Sequence, residues 1–285
     1  MKYDLSNRRT IEKLLSEEGF TFKKSLGQNF LTDPSVCPAM AKAAADDQTG
    51  VIEIGPGIGV LTVELAEISK KVIAIELDER LRPILAKTLE DYENASVIFS
   101  DVLKLDLKKL IEEEFSDCKR VAICANLPYY ITSPIIMSLL ESKLPVDTIT
   151  VMVQKEAAER LVADIPSRAA GAVTLAAAFY AESEFLFDVA RDCFTPSPNV
   201  DSAVIQFTVR KSAAINVSDE KMLFRLIRGA FEHRRKTLVN SVSAAGVVSK
   251  DLLQKALEEL GVPLTVRAEQ LSLEQFAAIS DILKK

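Results

Sequence analysis

Short apolar runs alternate with amphipathic stretches from residue 51 to residue 163. Apolar runs of about four to eight residues are typical of buried strands, and apolar residues three and four apart predict helices. This pattern predicts strands at 51–54, 72–76, 96–99, 121–125 and 147–153, and helices at 60–69, 78–90, 107–115, 133–142 and 155–163. Strands and helices that alternate at this spacing favour a parallel sheet with helices on both faces.

The flanking segments predict a different organisation at each end of the chain. The N-terminal part predicts a helix at 7–18, a stretch without period at 22–31, and a helix that begins with Thr32-Asp33-Pro34 and ends near residue 45. After a helix at 171–180, strands are predicted at 185–190 and 202–209, and they suggest a late antiparallel addition to the sheet.

Only helical periods follow residue 218, and they fall at 219–231, 235–244, 251–260 and 272–283. We therefore expect an α/β domain over 1–210, with an N-terminal arm over 1–31, and a small all-helical domain over 211–285. The late antiparallel strand favours a Rossmann-like methyltransferase sheet over a dehydrogenase sheet.

The first predicted strand runs into a turn with glycine at positions 55, 57 and 59, and the next helix opens directly afterwards. Such a turn lets a nucleotide-like ligand approach the backbone and the helix N-terminus. A dinucleotide turn needs glycine at position 60, where this chain has Val60. The spacing, with the acidic Glu53 just before the turn, favours S-adenosylmethionine over a nicotinamide dinucleotide.

Polar or permissive residues follow four successive predicted strands, namely Gly55, Glu76, Asp101 and Asn126. Ligands of parallel sheets bind at the carboxyl ends of the strands, so these positions predict one site. Glu76 can accept hydrogen bonds from both ribose hydroxyls, and Asp101 can accept one from an adenine amino group. The predicted cofactor residues are Gly55, Gly57, Glu76, Leu77, Asp101, Val102 and Asn126.

The fourth strand ends in Asn126-Leu127-Pro128-Tyr129. An exocyclic adenine amine is a poor nucleophile because its lone pair is delocalised into the ring. The side-chain oxygen of Asn126 and the carbonyl of Leu127 can accept both N–H hydrogens and aim the lone pair at a methyl donor. Pro128 fixes the chain direction, and Tyr129 offers a ring on which the base can stack. These four residues predict methylation of a base amino group.

Charge is distributed unevenly along the chain. The whole protein has a net charge of −6, yet residues 211–285 carry 12 Lys and Arg against 9 Asp and Glu. We predict that Arg234, Arg235 and Lys236, together with Lys23 and Lys24, contact RNA phosphates. A solvated helix end is the alternative reading of residues 234–236.

Composition excludes several other classes of protein. The four cysteines are scattered and His233 is the one histidine, so we expect neither a metal site nor a disulfide framework. The longest apolar runs are too short for a membrane helix, and no signal peptide opens the chain. We therefore expect a cytoplasmic protein.

The chain resembles the ribosomal small-subunit adenine dimethyltransferases over nearly its whole length. The motifs that carry the resemblance are Ser25–Leu31, Glu53–Gly59, Asn126–Tyr129, Phe194–Val200 and Phe231–Leu238. The resemblance implies methyl transfer from S-adenosylmethionine to N6 of two adjacent adenines near the 3′ end of small-subunit rRNA. It also implies that Gln28, Asn29 and Leu31 close over the cofactor, and that Phe194 stacks on the target base opposite Tyr129. A monomer that acts on the small ribosomal subunit, the 30S particle, is expected.

Two alternatives stay open at this point. A large-subunit rRNA methyltransferase of the Erm type shares the Asn-x-Pro-Tyr motif, although the segments around Phe194 and Arg234 favour the small-subunit family. A ribosome assembly or binding factor could keep the fold while its catalysis is dispensable. A nicotinamide dehydrogenase is disfavoured by Val60.

Overall fold

The structure is a computed structural model, and it describes residues 3–20 and 29–284. The chain divides into two compact units, Met1–Ala158 with Glu184–Val209 and Glu159–Ser183 with Arg210–Lys285. A single boundary at residue 210 would leave 159–183 in the first unit. The rings of Phe179 and Tyr180 instead pack on Phe224, with centroids 5.2 and 5.4 Å away, which ties this segment to the C-terminal helices.

The helices and strands follow the order that the sequence predicts, with small shifts at their ends. The helices are α1 (Arg8–Glu17), α2 (Val36–Ala44), α3 (Val60–Ile68), α4 (Arg82–Thr88), α5 (Leu107–Glu114), α6 (Thr132–Glu141), α7 (Lys155–Leu161), α8 (Ala172–Tyr180), α9 (Glu220–Glu232), α10 (Leu238–Ala244), α11 (Lys250–Glu259) and α12 (Leu273–Lys284). The strands are β1 (Phe30–Leu31), β2 (Thr49–Ile54), β3 (Lys71–Glu76), β4 (Ala95–Phe99), β5 (Arg120–Asn126), β6 (Thr148–Gln154), β7 (Ala181–Val189), β8 (Phe194–Thr195) and β9 (Ser202–Val209). Within the described residues, no helix is both long enough and apolar enough to cross a membrane.

Seven strands form one sheet in the order β4-β3-β2-β5-β6-β9-β7. The pairs from β4 to β6 are parallel, whereas β9 runs antiparallel to β6. All six residues of β2 are buried, since helices cover this central strand on both faces. The predicted α/β class with a late antiparallel strand is confirmed.

The strand order reverses at β2. The chain passes from β2 outward to β3 and β4, and then returns to the other side of β2 as β5. Such a reversal opens a crevice at the carboxyl ends of the strands, where ligands of open α/β sheets bind. Because Ile54 pairs with both Ile75 and Ala125, the ends of β2, β3 and β5 lie side by side.

A second, two-stranded sheet was not expected from the sequence. β1 pairs antiparallel with β8, so that Phe30 lies opposite Thr195 and Leu31 opposite Phe194. The backbone N–H and the hydroxyl of Thr32 both donate to the carbonyl of Cys193, at 2.8 and 3.1 Å, and extend the contact. This ladder joins the N-terminal segment to the loop between β7 and β9.

The start of α2 lies later than predicted. The carboxylate of Asp33 accepts from the backbone N–H and the hydroxyl of Ser35, at 2.8 and 2.6 Å, and closes a turn ahead of the helix. The helix therefore begins at Val36. The predicted N-terminal helix is confirmed as α1, whose buried Ile11 and Leu14 share a core cluster with Phe30.

Candidate active site

One cavity opens at the carboxyl edge of the sheet, beside the reversal at β2. Every predicted cofactor and catalytic residue that the structure describes lines this cavity. These residues are Asn29, Leu31, Gly55, Gly57, Glu76, Leu77, Asp101, Val102, Asn126, Leu127, Pro128, Tyr129 and Phe194. Gln28, Lys23 and Lys24 lie outside the described residues. The fold thus brings together side chains that are up to 165 positions apart in sequence, from Asn29 to Phe194.

The turn after β2 requires glycine for two reasons. Gly55 and Gly57 have φ angles of 74° and 59°, in the region that other residues rarely adopt. A Cβ on Gly57 would also lie 3.2 Å from the ring of Phe30. The bare turn therefore leaves the backbone exposed to a ligand in the cavity, ahead of the N-terminus of α3.

The carboxylate of Glu76 is fixed by two backbone N–H donors. Its Oε2 accepts from the N–H of Gly57 at 3.1 Å, and its Oε1 accepts from the N–H of Asp78 at 2.8 Å. Burial raises the pKa of Glu76, and these two donors oppose the shift. Each oxygen keeps a further acceptor site, so Glu76 can receive two hydroxyl groups from a ligand.

Apolar side chains stand exposed at the rim of the cavity near Asp101. Leu77 is 56% exposed and Leu103 is 44% exposed, although both line the cavity. The Oδ1 of Asp101 accepts from the backbone N–H of Leu103 at 3.1 Å, and its Oδ2 lies 3.5 Å from the ammonium of Lys104. Two exposed leucines beside a carboxylate suit, by their chemistry, a flat apolar ring system with a polar edge.

Glu53 is a buried carboxyl group at the floor of the cavity. Its side chain is 1% exposed, and its Oε2 has no hydrogen-bond partner in the part of the chain that the structure describes. Burial raises the pKa of Glu53 to about 8; the hydroxyl of Thr62 opposes this shift, and the negative charge of Glu76 adds to it. A cationic ligand group would satisfy this oxygen and favour the ionised form.

The end of β5 presents Asn126 to the cavity. The neighbouring Leu127 donates its N–H to the carbonyl of Met152 at 3.1 Å, which anchors the strand end to β6. The carbonyl of Pro128 accepts from the N–H of Ile131 and the hydroxyl of Thr132, so the turn after the motif is closed. The side-chain amide of Asn126 forms no hydrogen bond within residues 3–20 and 29–284, which leaves its oxygen for a ligand.

Aromatic side chains mark the other side of the same cavity. Tyr129 is half-buried, and its hydroxyl lies 2.7 Å from the hydroxyl of Ser202. Phe194 is only 4% exposed because the ladder with Leu31 holds it in the core. Tyr130 also lines the cavity and is 58% exposed, although it is not among the predicted site residues. Tyr130 directly follows the Asn126–Tyr129 motif, and this position could have indicated that it belongs to the site.

The predicted basic residues at 234–236 belong to the helical unit. The Nη2 of Arg234 donates to the carbonyls of Arg168 and Ala170, at 2.7 and 2.9 Å. This side chain therefore holds the segment before α8 in place. Arg235 and Lys236 are exposed.

The fold and this cavity together define a class I methyltransferase architecture. A family model described as ribosomal RNA adenine dimethylase matches residues 19–285. The chain belongs to the ribosomal RNA adenine dimethylase family. Its relatives include ribosomal RNA small subunit methyltransferase A of Bacillus pumilus, which is 46% identical over 100% of this chain and 99% of that protein.

Solved structures agree with this assignment. A dimethyladenosine transferase from Plasmodium falciparum is 26% identical, with a TM-score of 0.70, over 87% of this chain and 95% of that one. The 23S rRNA methyltransferase ErmE is 25% identical, with a TM-score of 0.65, over 90% of this chain and 100% of that one. A dimethyladenosine transferase and a 23S rRNA methyltransferase thus share this fold.

Glu53 gives a prediction about stability and pH. Its ordinary pKa of 4.5 is raised to about 8 in the folded chain, so the folded state binds a proton that the unfolded state has lost between these values. Raising the pH through this window therefore destabilises the ligand-free protein. We expect Glu53→Gln, which cannot ionise, to remove this loss, so that the melting temperature of the wild type falls relative to that of the variant from pH 6 to about pH 8 and the difference levels off by pH 9.

Thermal unfolding without ligand across this pH range measures the effect. Glu112→Gln, at an exposed position on α5, is the matched control and should follow the wild-type profile. Parallel pH profiles for the wild type and Glu53→Gln would contradict the assignment of a protonated Glu53.

Proposed function

We propose that this protein transfers methyl groups from S-adenosylmethionine to N6 of two adjacent adenosines in the 3′-terminal loop of small-subunit rRNA. The observation that carries the proposal is the meeting of Asn126 and Tyr129 with the glycine turn and Glu76 in one cavity. A donor site and an acceptor site therefore share one space at the edge of the sheet.

The donor side fits S-adenosylmethionine in its charges and its hydrogen-bonding groups. Glu76 offers carboxylate oxygens for the two ribose hydroxyls, and the exposed leucines beside Asp101 offer an apolar place for adenine. The orphaned oxygen of Glu53 suits the positive charge of the methionine part. When bound, the cofactor supplies a methyl group that its sulfonium makes electrophilic.

The acceptor side orients a weak nucleophile. The side-chain oxygen of Asn126 and the carbonyl of Leu127 accept the two hydrogens of the target amine and direct its lone pair. Correct orientation of two reactants can contribute about 7–11 kcal/mol in favourable systems, so a general base is not required. The proton that leaves the methylated nitrogen passes to solvent at the open side of the cavity.

The target base must be unpaired or extruded to reach Asn126. Extrusion costs a few kcal/mol in a duplex and less in a loop, and stacking on aromatic rings is worth about 1–3 kcal/mol per base. Tyr129 and Phe194 line the same cavity as Asn126 and are the residues that would supply such rings. This arrangement supports a single-stranded loop as the substrate.

The comparisons favour the small ribosomal subunit over the large one. The relatives that carry the name ribosomal RNA small subunit methyltransferase A are 43–46% identical over almost the whole chain. ErmE, which acts on 23S rRNA, is 25% identical. We therefore propose small-subunit rRNA or its particle as the partner.

Incubation with labelled cofactor tests the proposed function. The wild-type protein should produce N6,N6-dimethyladenosine at two adjacent positions near the 3′ end of rRNA in unmethylated small subunits, as mapped by mass spectrometry. Asn126→Ala should lower the rate at least about a hundredfold, because the target amine loses one of its two acceptors in a site that works by orientation. Label confined to large-subunit rRNA would overturn the choice of substrate.

Glu76→Ala separates catalysis from a role as an assembly factor. Loss of two hydrogen bonds to a charged group, at about 1.5–3 kcal/mol each, predicts cofactor binding weaker by more than about a hundredfold. Calorimetry measures this affinity, and Glu79→Ala at an exposed neighbouring position is the control. RNA binding should stay within about twofold. Normal subunit maturation in cells that carry Glu76→Ala would show that catalysis is dispensable.

The exposed basic residues of the helical unit give a prediction about salt. If Arg235 and Lys236 neutralise two phosphates, their combined replacement by Gln should reduce the slope of log affinity against log salt by about 1.5. Filter binding from low to moderate salt measures this slope. Arg234 is left unchanged because it holds backbone carbonyls.

Lys250→Gln with Lys255→Gln is the matched control, since both lysines are exposed on α11 of the same unit and the change in charge is equal. If the slope falls equally for both pairs, the salt dependence reflects the net charge of the protein. It would then not reflect phosphate contacts at Arg235 and Lys236.

A further inference from the structure

Ser202 is a polar side chain in the core at the active edge of the sheet. It is the first residue of β9 and lies opposite Gln154, the last residue of β6, so the antiparallel strand brings its beginning to the edge where the parallel strands end. The residue is 0% exposed. A buried hydroxyl needs a partner, and within residues 3–20 and 29–284 the hydroxyl of Ser202 hydrogen-bonds to that of Tyr129 at 2.7 Å.

Among the described residues, the hydroxyl of Ser202 is the hydrogen-bond partner of the Tyr129 hydroxyl. The ring lines both the cavity and the groove beside it, which also includes Gln154 and Phe194. A half-buried aromatic ring in such a place can change its side-chain torsions unless its far end is fixed. The hydroxyl of Ser202 provides that fixed point.

The strand that carries Ser202 is itself held firmly. Asp201 accepts from the backbone N–H and the Nε of Arg191, at 3.1 and 2.8 Å, and its carbonyl accepts from the N–H of Lys155. The Nη1 of Arg191 also donates to the carbonyl of Asn199, so the loop from 191 to 201 is closed across its base. Phe194 lies on this loop. One hydrogen-bonded segment therefore carries Phe194 and ends next to Ser202, whose hydroxyl bonds to Tyr129.

We propose that Ser202 is a positioning residue for the methyl transfer: its hydrogen bond to Tyr129 sets the plane of the stacking ring relative to Asn126 and Phe194. The inference rests on the proposed function of this cavity. A base between two aligned rings presents its amino group to Asn126 in one orientation, whereas a loose ring admits several. Loss of the hydrogen bond should therefore lower the rate of the bound complex and leave cofactor binding unchanged.

Ser202→Ala, Tyr129→Phe and the double variant form a cycle that tests the proposal in the full-length protein. Methylation of unmethylated small subunits gives kcat and KM, and calorimetry gives the affinity for S-adenosylmethionine. Each single variant should lower kcat about three- to tenfold, the range expected from loss of one neutral hydrogen bond, with cofactor affinity within about twofold. The double variant should be no slower than the slower single variant, because the same bond is lost in all three.

Ser69→Ala is the matched control for a general loss of stability. Ser69 is also a buried serine of the first unit, and its hydroxyl donates to the carbonyl of Leu65 at 2.6 Å, at the end of α3 away from the cavity. It should leave kcat unchanged. If Ser202→Ala does not fold, Tyr129→Phe still tests the proposal. It removes the same hydrogen bond at Tyr129, which is only half-buried, and leaves the buried serine in place.

Three results would overturn the role of Ser202. They are a wild-type kcat in folded Ser202→Ala or in Tyr129→Phe, multiplied effects in the double variant, and an equal fall in Ser69→Ala. Failure of the proposed function can be distinguished from failure of the role of Ser202. In that case the wild-type protein would methylate another RNA. The same four variants measured on that RNA would then still test the hydrogen bond.

Discussion

The parallel pairing of β2 with β3 on one side and β5 on the other is the constraint on which the candidate active site depends. Val51 pairs with Val72 and Ala122, and the shared register continues to the strand ends. A slip of one residue in either pair would turn every side chain of that strand to the other face. Glu76 and Asn126 are therefore placed relative to the glycine turn by a ladder of buried and mostly apolar residues.

The polar groups at the strand ends depend on this frame and add little stability of their own. Glu53 is the clearest case: its Oε2 has no hydrogen-bond partner among the described residues, and a buried oxygen left unpaired costs free energy that the packed strands around it must offset. A ligand that hydrogen-bonds to this oxygen would offset that cost in the bound state. The same logic applies to the exposed Leu77 and Leu103, which leave apolar surface in water at the rim of the cavity.

The sequence was informative wherever structure follows from a local pattern. The glycine turn, the acidic strand ends and the Asn126–Tyr129 motif each lie within a few residues, and the sheet needed only the alternation of strands and helices. Contacts between segments that are far apart in the chain could not be predicted from the sequence. The β1–β8 ladder joins residues about 165 positions apart through backbone groups that any sequence carries. The Ser202–Tyr129 bond and the two carbonyls held by Arg234 likewise depend on how segments meet, which no short motif encodes.

The β1–β8 ladder has a consequence for the order in which the two substrates are held. Leu31, a predicted cofactor residue, and Phe194, a predicted contact of the target base, are neighbours in one hydrogen-bonded pair of strands. A ligand that restrains either strand also restrains the other. By thermodynamic reciprocity, whatever the methyl donor gains from an ordered acceptor side, the RNA gains equally from a bound donor. If both ligands bind as proposed, the four residues of this ladder offer a backbone route by which the two binding events would be coupled, with no contact between the ligands required.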